Sequence, residues 1–341
     1  MAKKYGFGLV GCGVISKWHI NAINMIEDAS LIGVYDTYAL GAQKLAQEYG
    51  VKAFSTYEEM LNCEEIDIIN ICTPSGTHAP LIIEAAKAHK NIIVEKPMAI
   101  TKEQIDDVID AVEKNNVKLA VISQLRYEED VIKLKQAIDN KVFGDIISAD
   151  VYMKYYRSQE YYDSSAWRGT WEMDGGGVLM NQGIHGIDLL KYLVGPVKNV
   201  MGMCKTLSRN IDVEDTANVL LEFKNGALGV IQGTTTLNGG LPRFIHINGT
   251  KGYCQLTEKK ITKWNVDGKE YMTDNVVDDS SNSFSDPKGL SDDSHFNQIN
   301  DFVSALKEDK KPNIDMYDAK ETLDIILGAY KSNISGVKEK L

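Results

Sequence analysis

Cysteine is scarce in this chain and scattered. Five of 341 residues (Cys12, Cys63, Cys72, Cys204, Cys254) form no Cys-x-x-Cys pair and leave an odd one over. That excludes a disulfide framework and a zinc knot, and it predicts reduced thiols in a cytoplasmic protein. Long apolar runs are missing as well. Nothing approaches the roughly 18 consecutive apolar residues of a membrane span, so no membrane partner is expected. A basic cluster is also lacking. With 37 Lys and Arg against 48 Asp and Glu, the net charge is −11, which argues against binding a nucleic-acid backbone. There is no internal repeat. Lys3-Lys4 before the Gly6–Cys12 stretch imitates a secretion signal, but its apolar part is only about seven residues and rich in glycine, which argues against export.

At roughly 150 residues per domain, the length suits about two domains. From Tyr5 to Ile122 the chain alternates apolar runs with helical patterns. Strands are expected at Tyr5–Val10, Leu31–Tyr35, Ile66–Cys72, Asn91–Val94 and Lys118–Ile122. Helices are expected near Ser16–Glu27, Ala39–Tyr49, Thr77–Ala88 and Lys102–Asn115. Continuous apolar strands separated by helices predict a doubly wound parallel sheet, hence a dinucleotide-binding Rossmann domain over residues 1–122. Residues 123–341 have a different texture. Helices near Asp130–Asn140 and Val178–Leu193 are interleaved with strand runs at Ile146–Tyr156, Val197–Thr206, Ala217–Phe223, Ala227–Thr236, Arg243–Asn248 and Tyr253–Leu256. The turns Lys224-Asn225-Gly226 and Asp267-Gly268 make that an α+β domain with an open-faced, mostly antiparallel sheet. A long loop is expected over Asp274–Asp293, and two amphipathic helices, His295–Lys307 and Tyr317–Ser332, close the chain.

Gly11-Cys12-Gly13-Val14-Ile15-Ser16 follows the first strand and opens the first helix. Gly11 suits the tight turn, Gly13 admits a pyrophosphate to the helix N-terminus, and Ser16 is small enough for close helix–sheet packing. Asp36 ends the second strand, 20 positions after Ser16, where a carboxylate accepts ribose hydroxyls and repels a 2′-phosphate. Thr37, Tyr38 and Ala39 supply no compensating cation, so NAD is expected rather than NADP.

Further on stand Thr73-Pro74 with His78, then Glu95-Lys96-Pro97, then Asp174-Gly175-Gly176-Gly177, then Asn181-Gln182-Gly183-Ile184-His185-Gly186-Ile187-Asp188. With the glycine turn, this set resembles the Gfo/Idh/MocA family of NAD(P)-dependent oxidoreductases in order and spacing over essentially the whole chain. The resemblance implies a Rossmann domain joined to a sheet domain. It also implies hydride transfer on sugars and cyclitols, homodimers or homotetramers built through that sheet, and Lys96 and His185 in the active site. Chemistry agrees: oxidising an alcohol needs a base for the O–H proton, which His185 suits, and a cation such as Lys96 for the developing alkoxide. Asn181, His185 and Asp188 are spaced to share one helix face. Many family members carry Asp where Asn181 stands; Asn cannot take a proton, so His185 is the expected base and Asn181 a hydroxyl binder.

Cofactor contacts are expected from Gly11, Gly13, Val14, Ile15, Asp36, Thr73, Pro74, His78, Glu95, Lys96 and Gln124. Substrate contacts are expected from Lys96, Arg126, Tyr127, Tyr161, Trp167, Arg168, Asn181 and His185. Seven aromatics crowd between Tyr152 and Trp171, with Arg157 and Arg168 among them. Rings with polar tips suit pyranose faces, and arginines suit a carboxylate or phosphate; strand packing or a subunit interface accounts for part of the cluster equally well. No metal site is expected, and His19, His89, His246 and His295 show no partner. The expected activity is NAD-dependent removal of a hydride from a secondary ring hydroxyl, C3 among the candidates, of a sugar, glycoside or nucleotide sugar. A glycoside-cleaving enzyme that oxidises C3 transiently, and a non-catalytic dinucleotide sensor, are the alternatives.

Overall fold

The computed structural model describes residues 4–271 and 292–341. The expected loop over Asp274–Asp293 therefore lies almost wholly outside the described residues. The chain divides into two units, Met1–Gln124 with Ser291–Lys320, and Leu125–Leu290 with Glu321–Leu341. The sequence reading ran the second domain to the C-terminus without a break; in the structure the chain returns to the first unit for thirty residues before finishing in the second.

In the first unit, apolar runs and the short edge segment Lys52–Ala53 form six parallel strands covered by helices. In chain order they are β1 (Tyr5–Val10), α1 (Ser16–Met25), β2 (Ala29–Tyr35), α2 (Ala39–Tyr49), β3 (Lys52–Ala53), α3 (Tyr57–Leu61), β4 (Ile68–Ile71), α4 (His78–Lys87), β5 (Asn91–Val94), α5 (Lys102–Lys114) and β6 (Leu119–Val121). The sheet order is β3-β2-β1-β4-β5-β6, a Rossmann order that reverses between β1 and β4, where a ligand crevice opens beyond the strand ends. The two-residue β3 and five-residue α3 were too short to leave a periodic signal. α5 shows how the sequence starts a helix: Thr101 caps the backbone N–H of Gln104, and Ile105, Val108 and Val112 form its buried stripe.

The second unit contains α6 (Glu129–Asp139), β7 (Ile146–Lys154), α7 (Gln159–Asp163), α8 (Ile184–Val194), β8 (Val197–Lys205), β9 (Thr216–Phe223), β10 (Leu228–Thr234), β11 (Phe244–Gly249), β12 (Gly252–Thr257), β13 (Lys260–Val266) and β14 (Lys269–Tyr271). After α9 (Asp292–Lys307) in the first unit and α10 (Met316–Ser335), which runs from the first unit into the second, β15 (Glu339–Lys340) adds the last edge. The nine strands run β14-β13-β12-β11-β7-β10-β9-β8-β15, antiparallel except for the β7–β10 pair. Alternation is clean: Ala217, Val219, Leu221 and Phe223 of β9 are buried, while the opposite face shows Met201, Met203, Leu220 and Leu228 to solvent.

Candidate active site

The loop after β1 is built around glycine. Gly11 has φ 93°, and a Cβ there would come within 2.6 Å of the Cys72 carbonyl oxygen, so no other residue fits. A Cβ on Gly13 would meet nothing within 4 Å, which leaves that side of the loop clear for a ligand. Ser16 is buried, and its hydroxyl donates to the Gly13 carbonyl at 2.6 Å. The first turn of α1 carries no acid to oppose an anion, and Val14 is exposed beside it while Ile15 is half-buried. Asp36 is pinned at the same place: one carboxylate oxygen accepts the Cys12 N–H and the other the Tyr38 N–H, both at 2.7 Å.

Thr73 and Pro74 are half-buried on the loop after β4. The buried His78 ring faces the Thr73 carbonyl through Nε2 (2.8 Å) and the Pro97 carbonyl through Nδ1 (2.7 Å), joining the loops after β4 and β5. Gln124 is buried, and its Oε1 has no hydrogen-bond partner among the described residues. These groups fit NAD. The glycine loop suits the pyrophosphate, Asp36 the ribose diol, and the unsatisfied Gln124 oxygen a donor such as a carboxamide.

Of the residues from Ile92 to Ile100, Lys96 alone is not buried. Glu95, beside it, accepts the His19 Nε2–H on Oε1 at 3.0 Å and the Lys96 backbone N–H on Oε2 at 3.2 Å. His295 of α9 brings Nε2 to 3.7 Å from the same Oε1. The sequence carries no partner signal for His19 or His295; only the fold brings α1, β5 and α9 together. Their donor atoms and that of Glu95 lie within 4.8 Å of one another, the spacing of a metal site. Asn70 Nδ2, however, donates to His19 Nδ1 at 2.9 Å, which puts the ring proton on Nε2 and leaves no lone pair there for an ion.

In the second unit the expected helix Val178–Leu193 is two pieces, a π-helical turn at Val178–Gln182 and α8. Gly177 enters the turn so tightly that a Cβ would sit 1.7 Å from the Glu214 carbonyl oxygen. The buried Glu214 carboxylate accepts the N–H groups of Gly177 (2.8 Å) and Leu179 (2.9 Å) and the Tyr330 hydroxyl (2.9 Å). Burial pushes this carboxyl up to about 7 against those bonds.

Between Val178 and Val194, only Asn181, Gln182, His185 and Tyr192 are not buried. Asn181 Nδ2 donates to Asp174 Oδ1 at 2.6 Å, and Asp174 Oδ2 accepts the Gly169 N–H at 2.9 Å. Asp188 does not share that open face. It is buried and grips Arg126 although it stands one turn after His185 on α8, while the π turn takes Asn181 out of the α-helical register on which the expected shared face rested. Sequence reasoning passed over Gln182, whose buried Oε1 has no hydrogen-bond partner among the described residues.

The aromatic window divides in space. Tyr155 and Tyr162 are buried, and Tyr162 donates its hydroxyl to Thr235. Tyr152 pairs with His246 on the sheet, while Tyr127 is half-buried in a short 3₁₀ turn. Tyr161, Trp167 and Arg168 stay together. The Arg168 guanidinium stacks 4.3 Å from the Tyr161 ring and 4.7 Å from the Trp167 ring, donates to the Tyr161 hydroxyl, and leaves Nε without a hydrogen-bond partner among the described residues.

Residues 5–123 match the oxidoreductase family with an NAD-binding Rossmann fold, and residues 131–255 match the GFO/IDH/MocA C-terminal domain. The chain is 34% identical to the WlbA dehydrogenase of Bordetella pertussis, solved with NADH and UDP-GlcNAcA, with a TM-score of 0.89 over 99% of each chain. Its counterpart from Chromobacterium violaceum, solved with the same two molecules, is 31% identical, with a TM-score of 0.88 over 100% of this chain and 97% of that one. A myo-inositol 2-dehydrogenase of Thermotoga maritima is 27% identical over 95% of each sequence. The chain belongs to the GFO/IDH/MocA family of oxidoreductases.

Proposed function

We propose that this protein is an NAD-dependent dehydrogenase of a nucleotide-linked sugar, oxidising a secondary ring hydroxyl, with C3 the position expected. One observation carries the substrate class: two relatives above 30% identity, aligned over nearly their whole length, hold UDP-GlcNAcA beside NADH. Arg168 supports it independently, since a guanidinium stacked between two rings with an unsatisfied Nε is built to take a carboxylate or phosphate.

NAD, when bound, accepts the hydride. Asp36 favours it over NADP by repelling a 2′-phosphate. Lys96 and His185 are the catalytic pair: His185 takes the hydroxyl proton, and Lys96 donates to the same oxygen as charge develops there. Asn181, its amide already donating to Asp174, offers its oxygen to a substrate hydroxyl. The exposed apolar side chains on the second unit's sheet (Met201, Met203, Leu220, Leu228) support self-association as a homodimer or homotetramer.

The test is NADH production from NAD with a panel of UDP-sugars, free sugars, glycosides and inositols. Turnover with a UDP-sugar, reduced about 10²–10⁴-fold in Lys96→Met and in His185→Ala, is the expected result. Bound NAD with no NADH from any compound overturns the reading. Release of an aglycone without NADH would assign the protein to transient oxidation instead.

A further inference from the structure

Glu95 closes β5 inside the core, and its two oxygens serve different partners. Oε1 takes the proton of His19, while Oε2 takes the backbone N–H of Lys96. His19 is itself oriented by Asn70, and Asn70 Oδ1 receives the Cys72 thiol at 3.8 Å, so a relay of donors converges on the carboxylate. His295 approaches from α9, 1% exposed, its ring centroid 5.3 Å from that of His19. Neither of its ring nitrogens has a hydrogen-bond partner among the described residues. An imidazole buried in that state is costly, and Glu95 Oε1 stands 3.7 Å from its Nε2.

We propose that His19 and His295 are positioning residues, holding Glu95 as a carboxylate whose second oxygen fixes the backbone of Lys96 and thereby the aim of its ammonium. The proposal rests on the reading of Lys96 as catalytic. Its logic is a count of lone pairs. A protonated Glu95 would carry its proton on Oε1, which faces the His19 N–H, or on Oε2, which faces the Lys96 N–H, and would weaken one of the two bonds. Burial alone would raise this carboxyl, but the hydrogen bond from His19 and the nearby His295 imidazole outweigh it and hold the group well below its usual range. The other titratable groups around it are Cys72 at the end of β4, His78 on α4, and Lys96 itself.

The experiment measures backbone amide exchange and NADH affinity in the full-length protein, with turnover on the panel alongside. His19→Phe and His295→Phe should speed exchange at the Lys96 amide about tenfold or more, while the amides of Ile92–Val94 and the NADH Kd stay within about threefold. His19→Gln, which keeps an N–H donor, should restore most of the protection. Combining His295→Phe with Glu95→Gln should slow turnover no further than Glu95→Gln alone, because the histidine acts through the carboxylate. Exchange that rises equally along β5 would mean lost packing and would overturn the proposal, as would an unchanged Lys96 amide. Stoichiometric zinc in the purified protein, lost in His295→Phe, would overturn it too. The two readings fail separately: full turnover in Lys96→Met overturns the catalytic role of Lys96, whereas an unchanged Lys96 amide overturns the positioning role alone.

Discussion

Arg126 and Asp188 form a forked ion pair in the core of the second unit, Nε to Oδ2 at 2.8 Å and Nη2 to Oδ1 at 2.5 Å. Thr322 donates to Oδ1 at 2.9 Å, and the Tyr192 ring lies 4.8 Å from the guanidinium. Asp188 stands one turn after His185 on α8, so the pair anchors the helix that carries the proposed base. The arginine expected from sequence as a substrate contact therefore has a structural task in hand.

Removing one partner should cost much more than removing both. Asp188→Ala leaves a buried guanidinium without its counter-charge and should lower stability by about 3–5 kcal/mol. The double variant Arg126→Met with Asp188→Leu should recover most of that. Thermal unfolding of the single and double variants measures it, and a single-variant loss under about 1 kcal/mol would show that the pair carries little. A double variant that is stable yet has a raised KM would give Arg126 a substrate contact in addition.

Asp36, proposed to set the choice of cofactor, also braces the glycine loop through the Cys12 N–H. Asp36→Ala should weaken NADH binding by about tenfold or more, a loss matching charged hydrogen bonds of about 1.5–3 kcal/mol. NADPH binding should weaken less, or improve, because the repulsion is gone. Fluorescence titration with both nucleotides checks this. An unchanged ratio of the two affinities would remove Asp36 from the selection.

The Rossmann half was legible because its signals are local. Apolar runs such as Asn91–Val94 form a strand of those bounds, and Gly11, Gly13 and Asp36 sit at strand ends where spacing alone can place them. The second half was readable as alternating strands, but not in its functional detail. Nothing in Val178–Leu193 announces a π turn; its closing bond runs from the Gly183 N–H to the Val178 carbonyl, and its start is capped by Glu214, far along the chain, which takes the N–H groups of Gly177 and Leu179. The same holds for Glu95. Its tripeptide marked the site, but its partners His19 and His295 lie on helices that meet only after folding, and an isolated histidine carries no sequence signal.

Asn181 donates to Asp174 at 2.6 Å, and that contact decides what an acid at this position would do. Asn181→Asp would face one carboxyl with another at a distance where both cannot ionise, so the pair would share a proton. The pH profile of kcat/KM should gain a second ionisation between about pH 5 and 8, beside that of the proposed base His185. Superimposable profiles for the two proteins would mean that the Asp174 contact is broken in the variant.

Glu214 gives the stability a pH dependence with a definite sign. Its carboxyl titrates near 7 in the folded chain, pushed up by burial, against an ordinary value of 4.5. Between those values the folded protein holds a proton that the unfolded chain has released. This group's contribution is therefore complete below about pH 4.5 and is lost as the pH rises through about 7. A shift of that size corresponds to about 3 kcal/mol. Glu214→Gln cannot titrate, so its stability should decline less than the parent's between pH 5 and pH 8, even though exchanging one oxygen for an amide nitrogen lowers it at every pH. Denaturant melts of both proteins at the two pH values supply the comparison. The difference between the proteins, not either slope alone, isolates Glu214, because the buried carboxyls of Glu95 and Asp188 are held below their usual range and titrate in the opposite sense. Parallel slopes would show that Glu214 keeps one protonation state throughout, with the three hydrogen bonds it accepts prevailing over burial.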